Sequence, residues 1–288
     1  MSSTRTAMQE IVGIPELKRF VRAEQAAGRR IGFVPTMGYL HEGHLALVDE
    51  ARRRADTVVM SIFVNPLQFG PTEDLARYPR DLARDRRLAG ERGVDALFVP
   101  TVETIYPPGS EIRVIPGASA ERWEGAARPG HFAGVLTVVA KLLHLVEPDV
   151  VCFGQKDIQQ VTLVRRMLLD LDWPVALAVT PTVRDPDGLA LSSRNVYLSP
   201  EERRRALALS RGLRAAVDAF ERGERSAAAV ERIVRAELDA VPGVRADYIA
   251  VAEPQAMWPV DRVEPGTIVA VAARVGGTRL IDNVILGA

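Results

Sequence analysis

The chain has 288 residues, of which 47% are hydrophobic, so it can bury one large core or two smaller ones, and ordinary domain sizes favour two unequal domains. Its 37 basic and 37 acidic side chains cancel, which excludes the strong overall basic field typical of proteins that bind nucleic acids or membrane surfaces. Small-molecule chemistry is therefore the favoured class of function.

The N-terminal stretch "MSSTRTAMQEIVGI" lacks the charged start and unbroken apolar segment of a secretory signal, and no apolar run elsewhere reaches the ~18 residues of a membrane span. We therefore expect a cytoplasmic protein. The single cysteine, Cys152, excludes an intrachain disulfide, and its apolar neighbours favour a buried strand residue over a reactive thiol.

Short runs rich in Val, Ile and Phe alternate with helical patterns through the first 180 residues. The apolar runs predict strands at 31–35, 57–64, 95–100, 149–154 and 174–181, and a short one at 111–115 within a Gly- and Pro-rich insertion. The helical patterns lie at 43–55, 76–93 and 131–146. This alternation predicts an α/β fold with a parallel sheet, whose ligand sites lie beyond the carboxyl ends of the strands.

The sequence pattern changes after about residue 180. A long amphipathic helix and a second helix precede three strands, and these elements are expected at 199–223, 225–240, 246–254, 267–275 and 278–286. We predict that the three strands form a small antiparallel sheet packed on the two helices. The chain would then consist of a first domain at 1–182 and a smaller α+β domain at 183–288.

Two histidines follow the first of these predicted strands, in the stretch "VPTMGYLHEGHLALV". His41 and His44 are three residues apart, whereas the zinc metalloprotease signature needs a spacing of four. A strand end, Gly38 and a helix that begins near Gly43 instead describe an anion site, where free N–H groups face a phosphate. The imidazoles could then donate hydrogen bonds to charge that develops on a phosphate, the alternative being that they only cap the helix.

Three further stretches carry polar side chains at predicted strand ends or turns. Lys156 and Asp157 follow the strand predicted at 149–154, and Lys156 is one of only three lysines among the 37 basic residues. The segment "LALSSRN" (189–195) offers two hydroxyls and a guanidinium suited to phosphate oxygens, although a plain surface turn has a similar composition. Asn65 and Gln68 follow another strand, and their amides suit a substrate with hydroxyl and carboxylate groups.

Together these stretches resemble the pantothenate synthetase (pantoate–β-alanine ligase) family of the HIGH-type nucleotidyltransferase superfamily. The stretches "PTMGYLHEGH", "SIFVNPLQF", "FGQKDIQQ", "LALSSRN" and the closing "TRLIDN" occur in the family's order and span most of the chain. The resemblance implies a Rossmann-like nucleotidyltransferase domain followed by a smaller α+β lid domain. It also implies ATP-dependent condensation of (R)-pantoate with β-alanine, through a pantoyl adenylate, to give pantothenate, AMP and pyrophosphate for the coenzyme A pathway. Mg²⁺ would accompany ATP, and the protein would be a homodimer through its first domain.

The resemblance further implies the roles of individual residues. The catalytic residues would be His44, as proton donor, His41 and Lys156. ATP would be bound by Met37, Gly38, Tyr39, Leu40, His41, Glu42, Gly43, His44, Gly154, Gln155, Lys156, Asp157, Val183, Leu191, Ser192, Ser193 and Arg194. Gln68 and Gln160 would bind pantoate, with Gln68 also near β-alanine. Asp85 would lie in the magnesium region, because a bridging ion takes one or two carboxylates.

Three other functions remain open at this point. The phosphate motifs would also suit another adenylyl- or cytidylyltransferase, and only the stretches around Gln68 and Gln160 favour pantoate as the acceptor. An aminoacyl-tRNA synthetase is less favoured, because the charge balance shows no basic tRNA-binding surface and the chain is short for an anticodon module. A non-catalytic nucleotide sensor would keep the fold but would never cleave ATP to AMP.

Overall fold

The computed structural model describes residues 7–288, so the first six residues of the N-terminal stretch considered above lie outside the described part. The chain forms two compact units. Among the described residues, the first unit comprises 7–116, 130–154 and 167–180, and the second comprises 117–129, 155–166 and 181–288. The last block of the second unit thus begins two residues before the predicted domain at 183–288, and two earlier segments belong with it.

The first unit contains a six-stranded sheet in which every pair of neighbouring strands is parallel. Its strands are β1 (Gln9–Ile11), β2 (Ile31–Thr36), β3 (Thr57–Ile62), β4 (Ala96–Phe98), β5 (Val150–Gly154) and β6 (Ala176–Thr180). Their order across the sheet is β1-β4-β3-β2-β5-β6, so the direction of winding reverses between β2 and β5. Open parallel sheets bind ligands at such a switch point, beyond the carboxyl ends of the strands. The predicted Rossmann-like fold is confirmed.

The α-helices of the chain are α1 (Ile14–Ala26), α2 (Glu42–Arg54), α3 (Leu82–Arg92), α4 (Val102–Ile105), α5 (Glu124–Ala127), α6 (His131–Val146), α7 (Ile158–Asp170), α8 (Pro200–Glu221) and α9 (Ala227–Asp239). Short 3-10 turns occupy Pro66–Gln68, Ala118–Glu121, Gln155–Asp157 and Ser193–Tyr197. α6 is buried along most of its length, as its apolar sequence predicts. No helix within residues 7–288 has both the length and the apolar character needed to cross a membrane.

The second unit contains a three-stranded antiparallel sheet of β7 (Val244–Ala252), β8 (Ile268–Val275) and β9 (Thr278–Ile285). The central strand β8 is buried at all but one position, because its apolar side chains pack into the cores on both faces of the sheet. α8 begins with a capping box, in which Ser199 accepts the N–H of Glu202 and Glu202 accepts the N–H of Ser199. The predicted smaller α+β part is therefore also confirmed.

The fold differs from the sequence prediction at several places. The helices α1 and α7 were not predicted. β1 was not predicted; its three residues pair only with β4, as an edge strand of the parallel sheet. The predicted strand at 111–115 does not form, and the N–H of Val114 donates to the hydroxyl of Thr137 at 2.9 Å instead. The helix expected at 76–93 begins only at Leu82, because Asp81 caps its first turn by accepting the N–H of Arg84.

Candidate active site

The loop between β2 and α2 has an unusual backbone that fixes its path at the switch point of the first unit. Gly38 and Tyr39 have φ angles of 81° and 51°, both in the left-handed region that favours glycine. A Cβ atom at position 38 would lie 2.8 Å from the side chain of Ile62. The hydroxyl of Thr36, at the end of β2, accepts the N–H of Gly38 at 3.2 Å. Only glycine fits at this position.

The carboxylate of Asp85, in the first turn of α3, holds the same loop. One of its oxygens accepts the backbone N–H of Tyr39 and the other accepts the N–H of Leu40, each at 2.7 Å. Asp85 is only 1% exposed, and burial raises the pKa of its carboxyl above the usual value, although the two backbone hydrogen bonds oppose the shift. The side chain therefore supports the loop from inside the unit.

His41 and His44 form a pair at the N-terminus of α2. Their ring centroids are 4.0 Å apart, and the backbone N–H of His41 donates to Nδ1 of His44 at 3.3 Å. Because a backbone N–H can only donate, Nδ1 of His44 must act as the acceptor, so a neutral His44 carries its proton on Nε2. The helix N-terminus adds its own partial positive charge at this place. The arrangement is suited to an anion with a hydrogen-bond acceptor near Nε2.

A second polar cluster in the first unit is built around Gln68, at the end of a 3-10 turn after β3. Its side-chain amide donates to the sulfur of Met37 at 3.0 Å and accepts from the amide of Asn65 at 3.1 Å. The structure thus brings together two stretches that the sequence singled out separately. Asn65, 1% exposed, also donates to the backbone oxygen of Gly134 in α6 at 3.1 Å. These contacts fix the rotamer of Gln68.

Three residues around Gln68 were missed or left unassigned at the sequence level. The hydroxyl of Tyr106 donates to Asn65 at 3.0 Å, and burial raises the pKa of Tyr106 to about 12. Nδ1 of His131 lies 2.8 Å from the backbone oxygen of Gln68. A Cβ atom at Gly134 would lie 2.1 Å from the backbone oxygen of Leu67, so α6 packs directly on the turn. A glycine in an otherwise apolar helix was the available signal for this close approach.

In the second unit, Lys156 lies in the 3-10 turn that continues from the end of β5. Its ammonium group is 3.8 Å from the carboxylate of Asp157, with side-chain exposures of 20% and 48% respectively. Gln160 follows in the first turn of α7 and is partly buried. Gly154, the last residue of β5, has open space where a side chain would start: apart from its chain neighbours, no described atom lies within 4 Å of the place that a Cβ atom would take. A ligand can therefore approach this backbone closely.

The other segment of predicted nucleotide contacts in the second unit is a narrow loop. Val183 accepts the backbone N–H of Leu191 at 3.0 Å, which closes the loop between them. Beyond it, the hydroxyl of Ser192 accepts the N–H of Arg194 at 3.2 Å and caps a 3-10 turn. Ser193 is 6% exposed. Two hydroxyls and a guanidinium are thus held on an ordered turn.

Residues 9–285 match the family described as pantoate-beta-alanine ligase. The chain belongs to this family. It is 51% identical to the pantothenate synthetase of Moorella thermoacetica over 279 residues, which are 97% of this chain and 99% of that protein. The pantothenate synthetase structure from Thermus thermophilus is 51% identical with a TM-score of 0.92, over 96% of this chain and 99% of that one. A pantoate-beta-alanine ligase structure from Francisella tularensis, complexed with beta-gamma ATP and beta-alanine, is 34% identical with a TM-score of 0.80, over 97% and 98%.

As a pantoate–β-alanine ligase, the chain is an enzyme that joins pantoate to β-alanine. The structure gathers Met37 to His44, Gln68 and Asp85 in the first unit. Within this set the side chain of Glu42 is 62% exposed and pairs with Arg92 at 3.2 Å. That contact turns Glu42 to the surface of α2, so only its backbone is available to a ligand at the helix N-terminus.

Proposed function

We propose that the chain makes pantothenate in two steps. In the first step the carboxylate of (R)-pantoate attacks the α-phosphate of ATP, which gives pantoyl adenylate and pyrophosphate. In the second step the amine of β-alanine attacks the acyl carbon and AMP leaves. The observation that carries the assignment of residues is the His41–His44 pair at the N-terminus of α2, beyond the carboxyl end of β2 at the switch point of the sheet.

The first step has a simple electrostatic requirement. A carboxylate is already ionised at pH 7 and needs no general base, whereas negative charge grows on the α-phosphate and on the leaving pyrophosphate. His44 would donate its Nε2 proton to a phosphate oxygen, and His41 would lie beside it. Lys156 would place its ammonium charge on the phosphates. These three are the proposed catalytic residues.

The family resemblance also assigns nucleotide contacts to further residues of the chain. In the first unit we assign them to Met37, Gly38, Tyr39, Leu40, Glu42, Gly43 and Gly154. In the second unit we assign them to Gln155, Asp157, Val183, Leu191, Ser192, Ser193 and Arg194, with Asp157 on a ribose hydroxyl. The turn around Ser192 supports this assignment, because its hydroxyls and the guanidinium of Arg194 can form charge-assisted bonds to phosphate oxygens.

We assign pantoate to Gln68 and Gln160, and β-alanine to the neighbourhood of Gln68. The fixed rotamer of Gln68 supports this role, since its amide is already held by Asn65 and Met37. An amide that is fixed in place can discriminate the hydroxyl and carboxylate groups of pantoate, because it cannot turn to suit a substrate whose donors and acceptors lie elsewhere.

Mg²⁺ is proposed to accompany ATP, but Asp85 does not fit a direct ligand in this geometry. Both of its oxygens accept backbone N–H groups, and it is 1% exposed. Within residues 7–288 no group of three or more His, Cys, Asp or Glu is placed to hold a metal ion. A magnesium ion that bridges phosphates takes much of its coordination from phosphate oxygens and water. No catalytic step is derived through the ion.

We further propose that the enzyme is a cytoplasmic homodimer that associates through its first unit. Its use of ATP supports a cytoplasmic location. The side chains of Ile112 and Ile115 in that unit are 87% and 72% exposed, which is apolar surface that a second copy would cover. Light scattering coupled to gel filtration tests this directly. A mass of one chain at micromolar concentration would remove the dimer from the proposal.

The test of the reaction is product analysis after incubation with ATP, Mg²⁺ and pantoate, with and without β-alanine. We expect AMP and pyrophosphate over many turnovers only with both substrates, and a single-turnover burst of pyrophosphate with pantoate alone. ADP and phosphate would instead show a phosphoryl-transfer ligase. A complete lack of nucleotide cleavage would favour a nucleotide sensor.

A further inference from the structure

The closing motif "TRLIDN" contains two adjacent polar residues that are buried in the second unit. Asp282 and Asn283, on β9, are 3% and 1% exposed. Buried polar side chains are nearly always hydrogen-bonded, and each bond fixes the partner as well as the side chain. Neither residue has a part in the proposed reaction. Their partners are the two segments that carry the second unit's nucleotide contacts.

Asn283 holds the turn that carries Lys156. Its side-chain NH₂ group donates to the backbone oxygens of Gln155 and Lys156, at 2.9 Å and 3.0 Å. Its side-chain oxygen accepts from the amide of Gln155 at 3.2 Å. A side-chain NH₂ group has two protons, so both are used on consecutive carbonyl groups. The orientation of the turn, and with it the direction in which Lys156 leaves the backbone, is thereby fixed.

Asp282 holds the narrow loop that leads to Ser192. Its two oxygens accept from the guanidinium of Arg184 at 2.6 Å and 2.9 Å, and one of them also accepts the backbone N–H of Asn283 at 2.8 Å. Arg184 pairs across the loop with Ala190 in an isolated antiparallel bridge. A two-pronged ion pair of this kind fixes the guanidinium in plane and direction. The ion pair between Asp282 and Arg184 therefore fixes the start of this loop.

We propose that Asp282 and Asn283 are positioning residues, which hold the Lys156 turn and the Ser192–Arg194 turn in register from one strand. This rests on the proposed function, in which both turns bind ATP. Successive side chains of a strand point to opposite faces, at a fixed rise of ~3.3 Å per residue. Asp282 and Asn283 can therefore hold two different segments of the chain at a fixed distance from each other. Misplacing a catalytic group by about 1 Å can cost 100-fold in rate.

The two residues should give different kinetic signatures. Asn283→Ala frees the turn of Lys156, which acts on charge developing in the transition state, so kcat should fall by about 10- to 100-fold with little change in the KM for ATP. Asp282→Asn breaks the ion pair with Arg184 and loosens a segment that binds ATP throughout, so the KM for ATP should rise instead. Asn283→Ser keeps a single donor and should recover part of the loss. It also serves as the test variant if Asn283→Ala does not fold.

A double-mutant cycle decides whether Asn283 acts through Lys156. If it does, Asn283→Ala should lower the rate of AMP formation much less in a Lys156→Ala background than in the wild type. Leu280→Ala is the matched control on β9, since Leu280 is buried and lies in neither turn; it should unfold more easily but keep both kinetic constants. Equal losses in both backgrounds, or the same kinetic loss in Leu280→Ala, would overturn the proposal. A wild-type enzyme that forms no AMP would instead overturn the proposed function itself.

Discussion

The carboxylate of Asp85 accepts the backbone N–H of Leu40 at 2.7 Å, although the two residues are 45 positions apart in the chain. Its other oxygen accepts the N–H of Tyr39, a residue with positive φ. The strained backbone before His41 is therefore stabilised by a side chain from α3 rather than by its own sequence. Because both of its oxygens accept backbone N–H groups, the carboxylate of Asp85 supports the loop and is not placed as a metal ligand.

Asp85→Asn should destabilise the protein and weaken ATP binding. The amide oxygen can accept one N–H, but its NH₂ group would face the other backbone N–H as a second donor. A buried unsatisfied group costs about 1–3 kcal/mol, which should appear in urea unfolding at pH 7. The KM for ATP should rise, because the loop before α2 is no longer held. The Mg²⁺ concentration for half-maximal activity should not change.

Asp49→Asn is the matched control. Asp49 lies on the exposed surface of α2, where its carboxylate pairs with Arg92 of α3. A surface pair of this kind is worth roughly 0–1 kcal/mol, so stability should hardly change. A large shift in the Mg²⁺ requirement of Asp85→Asn, at unchanged stability, would make Asp85 a metal ligand after all.

The stability contributed by Asp85 should fall as the pH rises. Burial raises the pKa of Asp85 in the folded chain, so between the ordinary pKa of about 3.9 and the raised value the folded state binds more protons than the unfolded state. The part of this stability that depends on the protonation of Asp85 is therefore full below about pH 4 and is lost as the pH passes through the raised pKa, whereas the hydrogen bonds of its carboxylate to the backbone remain. Urea unfolding of the wild type and of Asp85→Asn from pH 4 to pH 8 should show a difference that declines and then levels off. A difference independent of pH would contradict the shift.

His44→Ala and Lys156→Ala should each lower the rate of adenylation by about 100-fold or more, since each removes a donor to developing charge. Single-turnover release of pyrophosphate from ATP and pantoate measures this step. His144→Ala, on the exposed side of α6, and Lys18→Ala, on α1, are matched controls that should keep the wild-type rate. Normal turnover in either test variant would remove that residue from the mechanism.

Gln160→Ala should chiefly raise the KM for pantoate. The amide is proposed to bind pantoate equally in the ground state and the transition state, and loss of such uniform binding raises KM with little effect on kcat. Initial rates at saturating ATP and β-alanine measure the change, and Gln25→Ala on the exposed face of α1 is the control. If only the KM for ATP moved, Gln160 would belong to the nucleotide site instead.

The fold could be predicted from sequence wherever apolar runs were long. Both bounds of the helix at 131–146 were predicted correctly, and the bounds of β8 to within one residue. Elements that are buried on most sides need long apolar segments, which stand out in the sequence. β1 could not be found, since three residues at a sheet edge give no periodicity.

The candidate site could be predicted only in part. Its main residues lie directly after strands, where chain order alone indicates a ligand site. The residues that orient them could not be inferred, because Asn283 and Lys156 are 127 positions apart and nothing in the spacing links them. Such partners are set by the packing of distant elements. The family resemblance placed Asp85 in the magnesium region, whereas in the structure its carboxylate accepts two backbone N–H groups.

The second unit also contains a buried ionic cluster centred on Glu124, which was not anticipated. Glu124 is 6% exposed, accepts from Arg279 at 2.8 Å and from the hydroxyl of Tyr248 at 3.0 Å. Burial and the charge of Glu124 raise the pKa of Tyr248 well above its usual value. Burial alone would lower the pKa of Arg279, but the hydrogen bonds and charge of Glu124, together with the hydrogen bond to Asp247, more than reverse this and raise it. Two carboxylates, those of Glu124 and Asp247, therefore balance the charge of Arg279.

Glu124→Gln should therefore destabilise the second unit strongly, although the side chain keeps its shape. Arg279, whose side chain is 17% exposed, would stay charged with only Asp247, at 2.7 Å, as an anionic partner. Removing one member of a fully buried pair costs about 3–5 kcal/mol, and the remaining bond to Asp247 should limit the loss here to about 1–3 kcal/mol. Urea unfolding measures the loss, and Glu121→Gln, at an exposed position three residues earlier, should change stability by less than about 0.5 kcal/mol. Equal stabilities of the two variants would mean that Asp247 alone neutralises Arg279, and the cluster would then be centred on Asp247.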